Sequence, residues 1–228
     1  MPIIQTTSVS KVYNHEKVPV QALNEVSLHV EKGEFTAIVG PSGSGKTTLL
    51  NILGGLDEPT SGQVHIRETD LFSLKESERI RFRLHHIGFV FQAYNLIPVL
   101  TAKENVAFIL QMQGVAKAEY ERRSVDLLNA VGLADKVDQR PGELSGGQQQ
   151  RVAVARALAS EPDFVLADEP TANLDSKSAT MLLDIMERLN REQGVTFLFS
   201  THDQRVVDRA RRVITLVDGE VASDIVKA

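Results

Sequence analysis

Residues Gly40-Pro41-Ser42-Gly43-Ser44-Gly45-Lys46-Thr47 fit the pattern G-x-x-x-x-G-K-[ST], and no other feature constrains the fold of this chain as tightly. The pattern needs a buried strand before it and a helix after it. Phe35 to Val39 is a short, continuous apolar run of the kind found in strands covered on both faces. A helix is predicted from about Lys46 to Leu53, where Gly54-Gly55 stops it. In that setting the glycines let backbone amides converge on phosphate oxygens, and the helix amino end adds positive partial charge. Lys46 can reach the outer phosphates, and Thr47 can hold Mg²⁺. A dinucleotide reading fails, because Gly43-x-Gly45 lacks the third glycine of G-x-G-x-x-G.

A phosphate-binding enzyme of this kind needs a second group directed at magnesium. Phe164-Val165-Leu166-Ala167-Asp168 is a hydrophobic strand ending in a carboxylate, which makes Asp168 the candidate. Glu169 follows immediately and is placed to polarise a water for attack on phosphorus.

Composition narrows the alternatives. The chain has 228 residues, 42% of them hydrophobic and 24% charged, which is the balance of a soluble globule rather than a disordered segment. Lys and Arg total 25 against 30 Asp and Glu, so the net charge of -5 argues against nucleic acid as the main partner. There is no cysteine, which excludes disulfides and thiolate catalysis. Met1 to Ser10 lacks the basic and apolar regions of a secretory signal, and no apolar run approaches the ~18 residues that span a bilayer. A cytoplasmic location is expected, with any membrane role exercised through a partner.

Along the chain, Val26, Leu28 and Val30 alternate with polar residues, so the opening segment is predicted to be antiparallel strand. Between Glu76 and Gly142 helical signals dominate. Thr101 and Glu104 form a capping box before a helix over Asn105 to Gln113, and another helix is predicted over Lys117 to Val131. A helix over Gln148 to Ala159 leads to the Phe164 strand. Ala179, Leu182, Leu183, Met186 and Leu189 then fall at helical spacing behind Asp175 or Ser176 as cap. Val195 to Ser200 is a further strand, and Asp218-Gly219 marks a hairpin between Val213 to Val217 and Glu220 to Ser223. The expected class is α/β with a mostly parallel sheet. One domain covers 1–228, with residues 1–85 and 150–228 as a core carrying the antiparallel β subdomain and about 86–149 as an inserted helical subdomain.

Leu144-Ser145-Gly146-Gly147-Gln148 is a second glycine-rich turn opening a helix, about 100 residues after the first. It resembles the signature motif of ATP-binding cassette (ABC) proteins and is followed by Gln149-Gln150-Arg151, as is usual there. The resemblance extends over essentially the whole chain and implies a P-loop NTPase core of the RecA-like type that binds and hydrolyses ATP with Mg²⁺. It assigns nucleotide contacts to Gly40 through Thr48, with Thr48 beside Thr47, and to Ser145, Gly146, Gly147 and Gln148. Gln92 in Phe89-Val90-Phe91-Gln92 resembles the Q-loop glutamine, which reaches the metal and the attacking water. Asp175 resembles the D-loop aspartate, and His202 resembles the switch histidine that contacts the γ-phosphate. Tyr13 stands where the family places an aromatic that stacks on adenine. The resemblance further implies a head-to-tail homodimer in which Lys46 of one copy and Ser145 of the other grip one ATP.

The segment Ile87 to Pro98 with Leu100 to Val106 is most similar to the branch of macrolide exporters, lipoprotein-releasing transporters and the cell-division ATPase. That likeness implies a peripheral subunit on the inner face of the membrane, powering a separate permease. A soluble cassette ATPase of DNA maintenance or cell-division regulation is the alternative. Glu68 occupies a turn position where the family usually has glycine. Arg79, Arg81 and Arg83, with Arg122-Arg123 and Arg211-Arg212, are expected to be solvated faces. His85 and His86 lack the further ligands of a zinc site. Tyr94, Leu96, Ile97 and Pro98 are expected to form a socket for a cytoplasmic helix of the permease.

Overall fold

The computed structural model describes residues 2–14 and 18–227. The chain opens with β1 (Ile4–Tyr13) and β2 (Val20–Val30), which pair antiparallel as the alternation predicts. β3 (Phe35–Val39) then leads through the phosphate loop into α1 (Lys46–Leu53). β4 (Ser61–Ile66) returns to pair with β1, and the short β5 (Thr69–Asp70) closes a four-stranded sheet of order β2-β1-β4-β5. In the β4–β5 turn Arg67, with φ 53°, takes the left-handed position, so Glu68 next to it needs no glycine.

α2 (Glu76–His86) and β6 (Ile87–Val90) precede the helical part, made of α3 (Ala102–Met112), α4 (Lys117–Ala130) and α5 (Gly146–Leu158). β7 (Phe164–Asp168), α6 (Ser176–Gln193), β8 (Phe197–Ser200), α7 (Gln204–Arg209), β9 (Arg212–Val217) and β10 (Glu220–Val226) complete the chain. Although residues from about 86 onward are predicted to be helical, β6 pairs with β7 and belongs to the second sheet. Its four residues are too few to show a period, and Gly88 interrupts their apolar run.

The second sheet has the order β10-β9-β3-β8-β7-β6, parallel except for the β9–β10 hairpin. Its central strands β3, β8 and β7 are apolar on both faces, so two cores form. Phe35, Val165, Ala167, Phe197 and Phe199 pack toward the helices, with the Phe35 and Phe199 rings 4.7 Å apart. Ile38, Leu166, Leu198 and Ile214 pack on the other side against Leu49, Ile52 and Leu53 of α1 and the antiparallel sheet. Because β8 lies between β3 and β7, the carboxyl ends of all three strands are neighbours. Ser200 stands level with Ile38 on one side and Asp168 on the other.

Arg212 corrects the expectation of a solvated cluster. It is buried, with Nη1 donating to the His29 carbonyl at 2.7 Å and to Glu34 Oε2 at 3.1 Å, and Nη2 donating to Asp224 Oδ2 at 2.7 Å. Two carboxylates and a carbonyl satisfy the planar fork inside the sheet edge.

Candidate active site

The phosphate loop turns at glycine because nothing else fits. Gly43 has φ 81° and Gly45 has φ 97°, and a Cβ on Gly45 would lie 2.3 Å from the Ala22 carbonyl oxygen. Gly45 is also the cap residue of α1 and offers no side-chain acceptor, and the first turn of α1 holds no acidic residue. The amides there point outward without a competing anion, as a phosphate site requires. Lys46 Nζ donates to the carbonyls of Gly40 and Pro41, each at 2.9 Å. Among the described residues it has no carboxylate partner, so its charge is available to a ligand anion. Among the described residues the buried Ser44 hydroxyl has no hydrogen-bond partner.

Thr47 Oγ1 donates to Asp168 Oδ1 at 3.1 Å, joining the start of α1 to the end of β7. A hydroxyl beside a carboxylate is a hard-oxygen pair that suits Mg²⁺, which keeps several waters and takes further oxygens from phosphates. The residues present therefore fit a magnesium–nucleotide complex.

Glu169 is held in the left-handed region at φ 45°, a conformation that costs a non-glycine residue about 1 kcal/mol or more. Its amide donates to the Ser200 carbonyl at 2.9 Å. One carboxylate oxygen lies 2.7 Å from His202 Nδ1, and the other accepts from the buried Thr201 hydroxyl at 3.3 Å. The loops behind these residues are tied together. Thr171 Oγ1 donates to Asp203 Oδ2 at 2.7 Å, and Asp203 caps α7 while pairing with Arg205. Burial pushes the Asp203 carboxyl up, but hydrogen bonds from Arg205 and Thr171 outweigh it and hold the group at about 2.

A cleft of about 650 Å³ runs over this region. Gly40 through Gly43, Gly45, Lys46, Thr47 and Thr48 form its floor, and Gln92, Glu169, Ser200 and His202 form one wall. Val20, Gln21 and Ala22 of β2, which no sequence motif singles out, also line it. Of the residues expected at the nucleotide, Tyr13 stands outside this lining. Its hydroxyl donates to Asp57 Oδ2 at 2.6 Å, and Lys11 Nζ lies 4.9 Å from its ring centre. Burial and the Asp57 contact raise its proton affinity.

The second glycine motif also lies outside the cleft of its own chain. Ser145 and Gln148 form the expected capping box, with Ser145 N donating to Gln148 Oε1 at 2.8 Å and Gln148 N to Ser145 Oγ at 3.3 Å. Gly146 is packed so that a Cβ would meet the Tyr94 hydroxyl at 2.7 Å, and one on Gly147 would meet Ser178 Oγ at 2.7 Å. Asp175 caps α6, accepting from the Lys177 and Ser178 amides at 3.0 Å each. Hydrogen bonds from Ser178 hold its carboxyl below the usual range. Gln150 links this helix to the cleft, donating to the Pro170 carbonyl at 2.9 Å and the Phe91 carbonyl at 3.3 Å.

Residues 23–172 match the family model described as ABC transporter. The macrolide export ATP-binding/permease protein MacB of Campylobacter jejuni is 51% identical over 205 residues, 90% of this chain but 32% of that protein. The chain thus spans about a third of the length of that relative. The lipoprotein-releasing system ATP-binding protein LolD of Geobacter metallireducens is 44% identical over 222 residues, covering 97% of this chain and 99% of that protein. Among solved structures, a dimeric post-hydrolysis state of the ATP-binding cassette MJ0796 bound to ADP and Pi is 42% identical, with a TM-score of 0.91 over 99% of both chains.

Proposed function

The chain belongs to the ABC transporter family, and from that premise we propose that it is the Mg²⁺-dependent ATPase subunit of a membrane transporter, acting as a homodimer. One observation carries the reading. Lys46, Thr47, Gln92, Glu169 and His202 share a cleft, whereas Ser145, Gly146, Gly147 and Gln148 stand apart from it on the same chain. A second copy placed head to tail brings the missing helix end to each cleft, and two-fold symmetry then completes both sites at once. The dimeric MJ0796 cassette supports a dimer.

In this mechanism the loop amides and Lys46 bind the β- and γ-phosphates, with Lys46 exchanging its two carbonyl partners for phosphate oxygens. Thr47 and Asp168 hold Mg²⁺, with Gln92 beside them. An ion bound there would supply charge stabilisation to the phosphoryl group. Glu169 accepts the proton of the attacking water, and His202 orients the γ-phosphate. Ser145 and the α5 amino end of the second copy contact the same phosphate, so the dimer is held by charge that hydrolysis removes. Asp175 lies beside that junction. Tyr13 meets adenine at the outer end of the cleft next to Val20.

Power reaches a permease through an inserted helical subdomain, residues of about 86–149 apart from β6. A groove of about 340 Å³ between β6 and α3 is lined by Leu84, Phe89, Phe91, Ile97 and Phe108. Met112 and Ile80 are exposed on the neighbouring helices. Of the four residues expected to form the socket, Ile97 lines this groove and Leu96 packs against the helical core; the groove receives a cytoplasmic segment of the permease, which keeps the subunit on the inner face of the membrane. No described helix is long and apolar enough to cross a membrane. The likeness to MacB and LolD supports an export or lipoprotein-releasing permease as the partner. Purifying the chain from membranes with its bound partner tests this. An integral-membrane permease that stimulates ATP turnover is the expected result, and a soluble nucleic-acid enzyme in its place would overturn the transport reading.

A further inference from the structure

Ser200 has a buried hydroxyl that the mechanism above does not use. The residue is fully buried at the carboxyl end of β8, its Oγ has no hydrogen-bond partner among the described residues, and it lines the cleft. An unpartnered buried hydroxyl is unfavourable in the free protein, which calls for a partner that arrives with the ligand.

The sheet says where that hydroxyl points. Successive residues of a strand alternate between faces. Phe197 and Phe199 of β8 pack into the core on the helical side, and Leu198 packs into the core with Ile38, Leu49 and Leu166. Ser200 therefore shares the face of Leu198, on the side of α1. On that face it is level with Asp168 of β7, and adjacent strands are about 4.8 Å apart. Asp168 in turn is joined to Thr47 at the start of α1. The free hydroxyl thus stands beside the hydroxyl–carboxylate pair assigned to the cation, beneath the phosphate loop.

We propose that Ser200 is a positioning residue of this site, its hydroxyl holding a water bound to the divalent cation that Thr47 and Asp168 hold. The inference rests on the magnesium–nucleotide reading of the cleft and adds a residue to it. A hard cation that keeps its waters needs protein groups around them as well as direct ligands. A hydroxyl serves because it both donates and accepts.

The test separates metal binding from nucleotide binding. Mn²⁺ is titrated by electron paramagnetic resonance into wild-type protein and Ser200→Ala, each saturated with the non-hydrolysable analogue AMP-PNP. Affinity for AMP-PNP is measured separately in EDTA. Ser200→Ala is expected to weaken Mn²⁺ binding about 2- to 12-fold, the worth of one hydrogen bond, with metal-free AMP-PNP affinity unchanged. Its nucleotide-free unfolding temperature should be unchanged or higher, because the variant removes an unsatisfied group. Ser200→Cys, of similar size and with a weak donor, should fall between the two. Unaltered Mn²⁺ affinity in Ser200→Ala would overturn the proposal. An equal loss of AMP-PNP affinity in EDTA would also overturn it, placing the hydroxyl on phosphate instead. Failure of the wild type to bind AMP-PNP would instead remove the nucleotide reading itself.

Discussion

His202 Nδ1 lies 2.7 Å from Glu169 Oε1, and the imidazole is 75% exposed where the carboxylate is 16% exposed. The histidine thus covers the carboxylate from the solvent side, while the Thr201 hydroxyl holds the second oxygen from below. Nδ1–H donates to the Glu169 carboxylate, and the imidazole lines the cleft.

Glu169→Gln removes the proton acceptor and keeps the shape and the Thr201 contact. ATP turnover should fall by about 10²- to 10⁴-fold, the usual worth of a general base, with ATP binding retained. Phosphate release checks the first part. Sedimentation at saturating ATP should show a dimer that the wild type forms only transiently. Normal turnover in this variant would take Glu169 out of the base role.

Lys46→Ala removes a cation whose present partners are two carbonyl oxygens rather than a carboxylate. The fold loses little, whereas a bound triphosphate loses its main charge-assisted contact. ATP affinity should drop about 10- to 100-fold, measured by calorimetry, with the unfolding temperature of the free protein nearly unchanged. Unchanged affinity would count against the phosphate-loop assignment.

Mixing two inactive variants tests the shared site. Lys46→Ala spoils one half of each site and Ser145→Arg the other half. In a mixed dimer both defects fall on one site and the second site is intact. Equal amounts should recover about a quarter of wild-type turnover if copies assort freely and sites act independently. Full turnover by Ser145→Arg on its own would mean that each chain hydrolyses ATP alone.

Asp203 gives the fold a dependence on acid. Its folded carboxyl sits at about 2, below the 3.8 of a free aspartate, so the unfolded chain binds the proton more tightly. The stability it contributes is present above about pH 4 and is lost as pH falls toward 2. Asp203→Asn should lower stability by on the order of 1 kcal/mol at pH 7, after allowance for solvent screening, and by much less at pH 2. Urea unfolding at the two pH values measures the difference. An equal effect at both would assign the loss to the cap geometry instead of the charge.

The parts legible in the sequence are those fixed by local chemistry. The strand before Gly40, the helix from Lys46 and the boxes at Thr101 and Ser145 each depend on residues within a few positions. Asp218 and Gly219 both take positive φ, as a two-residue hairpin turn requires. What escaped depends on distant partners. Arg212 reads as exposed until Glu34 and Asp224 are brought to it. Val20 and Gln21 become a wall of the cleft only because β2 folds back over the phosphate loop. The free hydroxyl of Ser200 has no sequence signal at all, since its meaning comes from the strands on either side.

Gly219 shows how far this dependence reaches. Its amide donates to the Ser44 carbonyl at 3.2 Å, its own carbonyl accepts from the Asn24 amide at 2.9 Å, and a Cβ there would meet the Ala22 carbonyl at 2.9 Å. The bend after β9 is therefore a rivet that fastens the anion cradle to both sheets. A substitution at Gly219, remote from every reacting atom, should register first as faster nucleotide escape.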